Sequence, residues 1–162
     1  PIEVNIRLIG SFPVFSMLQE VHKQPLIQAI QILQYLDNDD YILDVESLNR
    51  EMKGRMNGSY LHLYSNSSKA VYNQGELEAG IYRIGKEGDI KFSRHAYSLL
   101  DLKGKDEFLV SQGVPYKNTK YTDYRSVVNI VTKGSFMNMN GESTSFAKKV
   151  ISYCYDTLSL RE

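Results

Sequence analysis

A chain of 162 residues fits one domain of ordinary size with a core of its own. Its 42% hydrophobic and 23% charged residues exclude a disordered tail or a coiled coil. Nineteen basic residues against nineteen acidic ones exclude a whole-surface polyanion binder but allow a local basic patch, and the single cysteine, Cys154, excludes a disulfide framework and a cysteine-based zinc site. The longest apolar runs, such as Phe108-Leu109-Val110, are too short to span a bilayer, and no signal peptide is read at the start, so the chain is expected to be neither secreted nor transmembrane.

In chain order, Val4, Ile6 and Leu8 alternate with polar residues, the period of a half-buried strand over 3–9 that Gly10-Ser11 ends. Ser16 with Gln19 three residues on predicts a capping box for a short helix carrying Leu18 and Val21, which Pro25 breaks. Leu26, Ala29, Ile30, Leu33 and Leu36 then recur at helical spacing and predict a buried stripe. Asp37-Asn38-Asp39-Asp40 predicts a turn, and Asp44 caps a helix with Val45, Leu48 and Met52 inward.

Beyond Gly58 the period changes from 3.6 to 2. Residues 60–64 predict a strand, Ile81–Ile84 and Asp89–Phe92 a hairpin around Gly85–Gly88, and 108–110 a further strand. A second hairpin is predicted from Val127–Val131 and Ser135–Met139 through Thr132-Lys133-Gly134. Ser143 caps a final helix whose Phe146, Ala147, Val150, Ile151, Cys154 and Leu158 form one stripe. The order predicts a single α+β domain over 1–162: an N-terminal strand and helices, an antiparallel meandering sheet, and a C-terminal helix packed on it. The absence of a βαβ repeat excludes the crevice of a doubly wound nucleotide binder.

Charge is uneven. Residues 1–49 hold two basic and seven acidic side chains, net −5, while 50–150 hold sixteen and ten, net +6. Within the basic part, Tyr116, Lys117, Lys120, Tyr121, Tyr124 and Arg125 interleave cations and rings, a mixture that places charge on phosphates and rings on bases or lipid headgroups. The bland alternative is a solvated loop. Asp89-Ile90-Lys91, with Glu76 or Glu78 upstream, has the acid-x-Lys form of a metal-dependent nuclease, yet the same residues read more simply as the outward face of a strand. His22, His62 and His95 lack metal-pair spacing, and Cys154 reads as a small buried hydrophobe. No catalytic residue, metal or cofactor is expected. Tyr41, Ile42 and Leu43 form an apolar triplet between an acidic turn and a helix, either held in a core or offered to a partner.

The opening strand, Ser11-Phe12-Pro13-Val14-Phe15 with its short helix, and the proline-entered apolar stretch from His22 to Leu33 resemble the start of the rhabdovirus matrix proteins. Val127–Met139 with the closing helix from Ser143 is similar to the last hairpin and helix of that family. The resemblance spans nearly the whole chain through element order and short patterns. It implies a non-enzymatic coat component that self-associates, binds the inner face of an anionic membrane and the viral nucleocapsid, and supports budding from the host cytoplasm. By position, Tyr41, Ile42 and Leu43 fall where the family exposes a self-association loop. The basic N-terminal arm and proline-rich motifs of the family have no counterpart here, as expected of a trimmed core. Two rivals stand beside this reading: a nucleic-acid-binding module, with helices 26–36 and 44–53 and a following hairpin arranged like a winged helix, and the Asp89–Lys91 nuclease.

Overall fold

The computed structural model describes residues 12–36, 44–51, 53, 57–122 and 124–161. The predicted opening strand, the acidic turn 37–40 and the triplet Tyr41, Ile42, Leu43 lie outside them. The chain divides into two compact units, Pro1–Met56 and Asn57–Glu162.

The first unit holds α1 (Phe12–Val21), α2 (Ile27–Tyr35) and α3 (Val45–Glu51). α1 begins four residues before Ser16, so the predicted capping box is not formed. Ser16 instead donates through its hydroxyl to Gln28 Oε1 at 2.5 Å. Gln19, fully buried, donates from Nε2 to Pro25 O at 2.6 Å and accepts from Ile27 N at 3.4 Å. One glutamine thereby satisfies a carbonyl and an N–H among the backbone groups left open where Pro25 breaks the chain into α2. Asp44 does cap α3, accepting from Ser47 N at 3.0 Å and from Ser47 Oγ at 2.6 Å.

The stripe predicted to be buried on α2 is not. Leu26 and Leu36 are 40% and 56% exposed, Ala29 is exposed, and Ile30 and Leu33 are half-buried. α3 likewise buries none of its described residues, and Val45 is 54% exposed. Helical spacing reports that a face is apolar; it does not report whether anything covers that face.

The second unit is an antiparallel sheet with a helix on it. β1 (Ser59–Tyr64), β7 (Ser126–Thr132), β5 (Glu107–Gln112), β3 (Gly80–Ile84) and β4 (Ile90–Arg94) lie in that order, every neighbour antiparallel. A smaller antiparallel sheet has the order β6 (Lys120–Tyr121), β2 (Val71–Asn73), β8 (Leu160–Arg161). The fold is α+β, as the element order predicts. The β3–β4 hairpin closes through Gly85 N to Asp89 O at 2.7 Å, and Gly88 supplies the left-handed conformation (φ +88°) the turn needs.

α4 (Ser145–Leu158) seals one face. Its Ala147, Val150, Cys154 and Leu158 are buried in one cluster with Leu63, Tyr82, Phe108, Val110, Val128 and Ile130, and full burial of Val150 or Leu158 contributes roughly 1.5–3 kcal/mol each. Tyr82 and Phe108, directly opposite in register, stack at 5.4 Å. The cap is Thr144, whose Oγ1 accepts from Ala147 N at 3.1 Å, one residue later than the predicted Ser143.

The second predicted hairpin is corrected. β7 pairs with β1 and β5, and residues 135–143 hold a single bridge, Met137 to Ser143. Their polar side chains bond locally: Ser135 Oγ accepts from Met137 N at 3.2 Å, and Asn138 Oδ1 accepts from Asn140 N and Glu142 N, each at 2.9 Å. Such bonds offer the backbone an alternative to a strand ladder.

Candidate interaction surface

The basic and tyrosine-rich segment is organised by Asn73. This residue is fully buried at the end of β2, and its Nδ2 donates to Gly75 O at 3.0 Å and Tyr116 O at 3.2 Å. Its backbone exchanges two further bonds with the same segment, Asn118 N to Asn73 O at 2.6 Å and Asn73 N to Thr119 O at 3.0 Å. Thr119 closes the turn by donating its N and Oγ1 to Tyr116 O at 3.0 and 2.5 Å, with Asn118 left-handed (φ +65°). Tyr116 stands at the tip, 89% exposed, with Lys117 exposed beside it. Tyr124 (57% exposed) and Arg125 are anchored separately, by Tyr124 N to Ser67 O and Ser65 N to Arg125 O.

Tyr121 does not belong to this surface. Its side chain is buried in the core cluster, burial pushes its hydroxyl pKa up, and it offers no ring to a ligand. In β6 the alternation of a strand sends Lys120 outward and Tyr121 inward, so two neighbours that look alike in sequence have opposite roles.

Strand register brings in two residues that the sequence reading missed. Tyr72 on the central strand β2 lies opposite Lys120 of β6 on one side and Arg161 of β8 on the other. Lys120 and Arg161 are exposed, Tyr72 is 39% exposed, and Lys120 Nζ lies 6.0 Å from the centroid of the Tyr72 ring. Val71 and Tyr121, the alternate residues, enter the core, and Leu160 packs against it. The small sheet thus has one apolar face and one carrying a cation, a ring and a cation in a row. Among the described residues Lys117, Lys120, Arg125 and Arg161 enter no ion pair. The only available signal for Tyr72 was the alternation of Val71-Tyr72-Asn73, too short to read as a strand.

Two features fix the row in place. The left-handed Ser159 (φ +46°) ends α4 and turns the chain into β8. Gly75 follows β2 where the backbone meets the end of α4; a Cβ there would lie 1.6 Å from Thr157 O, so only glycine fits.

Clefts flank the surface. A 330 Å³ cleft is lined by Glu76, Leu77, Glu78, Pro115, Tyr116 and Lys117. A 480 Å³ cleft lies between the 66–67 loop and α4, at Ser152, Tyr155 and Asp156.

Asp89 and Lys91 pair with each other at 2.8 Å on the exposed hairpin, and hydrogen bonding to Lys91 holds the Asp89 carboxyl below the usual range. Glu76 and Glu78 line the cleft beside Tyr116, whose lining does not include Asp89. Among the described residues no three His, Cys, Asp or Glu side chains are grouped to hold a metal ion. His62 packs between Tyr60 and Tyr64, and His95 against Phe92. Cys154 is fully buried, and burial pushes its thiol up to about 12, far from a thiolate at neutral pH. No helix of the described residues is long and apolar enough to cross a membrane. Comparison of the chain with protein-family models, with curated proteins and with solved structures finds no match.

Proposed function

We propose that this chain is a viral matrix-like structural protein that self-associates and links nucleocapsid to membrane during assembly and budding. The observation that carries the reading is the uncovered apolar strip of the first unit. Ile32, Tyr35 and Leu36 follow at three- and four-residue spacing and are 62%, 75% and 56% exposed. Burying such side chains against a partner returns roughly 1.5–3 kcal/mol each, which is why contiguous apolar surface marks association sites.

Charge favours a second copy as the partner. The net −5 of residues 1–49 complements the net +6 of 50–150, and unlike regions of the same chain attract between copies. A contact between unlike surfaces is head-to-tail, giving a ring where its rotation closes and an open array where it does not, and the open array is the form a coat requires. Many weak copies then act together on one membrane. Exposed Tyr116 beside Lys117 suits an anionic headgroup layer, where an amphipathic ring and a cation act at the same depth.

Sedimentation velocity over a concentration series, at low and high salt, tests the reading. Reversible growth to larger species is expected, reduced by salt because screening shortens the reach of charge to roughly 3 Å at 1 M. In flotation, vesicles containing phosphatidylserine are expected to carry the protein and neutral vesicles to leave it behind. A monomer at every concentration that ignores both vesicle types overturns it.

A further inference from the structure

We propose that the outward face of the β6–β2–β8 sheet is a contact for single-stranded RNA, with Tyr72 as the stacking platform and Lys120 and Arg161 as the flanking phosphate contacts. The inference deepens the nucleocapsid-linking half of the proposed function and rests on it. Three observations carry it.

The first is register. Tyr72 lies directly opposite both cations, and neighbouring strands are about 4.8 Å apart, so the charges sit one strand to either side of the ring. A base stacked on the ring then has the phosphates before and after it within reach of one cation each. The second is availability. Neither cation is in an ion pair among the described residues, and Lys120 Nζ, 6.0 Å from the ring centroid, is at the outer limit of a cation–π contact, free to turn to a phosphate. The third is chemistry. The row holds no aliphatic side chain, and its ring is set into a sheet, whereas a membrane-inserting element presents protruding apolar groups. Ring stacking between backbone-tracking cations is the usual way to hold a single strand without reading its sequence.

Fluorescence anisotropy with a labelled oligouridylate of about ten nucleotides tests the row, at protein concentrations where the chain does not associate. Tyr72→Ala is expected to weaken binding by roughly 5- to 150-fold, the equivalent of one lost stacked base, and Tyr72→Phe to keep it near the wild-type value. Lys120→Gln and Arg161→Gln are each expected to flatten the slope of log affinity against log salt by about 0.7. All four variants are checked by thermal melting, and Tyr72→Phe and the two Gln variants retain the strand and the core face. No binding to oligouridylate, or equal binding by Tyr72→Ala and the wild type, overturns the proposal. So does loss of phosphatidylserine-vesicle binding in Lys120→Gln or Arg161→Gln with RNA binding intact, which assigns the row to lipid. A monomeric protein that binds RNA through Tyr72 refutes self-association and leaves this site standing; a self-associating protein indifferent to RNA does the reverse.

Discussion

Glu107 is the most constrained charge of the second unit. Its carboxylate is fully buried, yet it accepts from Arg94 Nη1 and Nη2 at 3.0 and 3.1 Å and from Lys103 N at 2.7 Å, while Arg83 Nη2 lies 3.3 Å away. The Arg94 hydrogen bonds, helped by the Lys103 backbone and opposed by burial, lower its pKa from 4.5 to about 2. A carboxyl depressed on folding stabilises the protein fully above its unfolded value and loses that stabilisation as pH falls from about 4.5 to about 2. Acid unfolding followed by circular dichroism is therefore expected to steepen in that window. Glu107→Gln is expected to cost roughly 3 kcal/mol in urea denaturation and to reduce the steepening, Asp44 and Asp89 supplying the rest; it stands at the low end for a broken buried pair because Arg83 and Arg94 keep access to water. None of this was legible in the sequence. Glu107 precedes Phe108-Leu109-Val110 and reads as an ordinary polar strand end; only register places it opposite Arg83 and within reach of Arg94. The same holds for Tyr121 against Tyr116, where strand pairing decides which ring is core and which is surface.

Elements long enough to show a period were legible, and short ones were not. The strands at 59–64 and 90–94 alternate, those at 80–84, 107–112 and 126–132 carry short continuous apolar runs, and the last helix carries a continuous stripe. β2, β6 and β8 have two or three residues each, held by pairing partners far apart in sequence. The stretch 135–139 carries three apolar residues in five and still folds into local turns, because serine and asparagine side chains compete for its backbone. Helix ends are settled by similar small contests. Ser143 and Thr144 are both capping residue types, and the bridge to Met137 engages Ser143 while Thr144 accepts from Ala147 N. Thr144→Ala is expected to destabilise the protein by about 1 kcal/mol, with Ser143→Ala changing little; thermal or urea unfolding of the two side by side checks which residue holds the helix.

At the scale of the whole molecule, an even charge total conceals a polar distribution, and a periodic apolar helix conceals an uncovered face. Both are visible in sequence as composition, but the exposure of Ile32, Tyr35 and Leu36 is a property of packing alone. Together they make association between unlike parts of two copies the central claim. The apolar strip of α2 gives this claim a residue-level handle. The decisive measurement is sedimentation velocity of the wild type beside an Ile32→Ser, Tyr35→Ser double variant over one concentration range. Both positions are largely exposed, so the variant is expected to fold as the wild type does. The wild type is expected to grow with concentration and the variant to stay at the monomer coefficient; growth of both alike, or of neither, contradicts self-association through this helix.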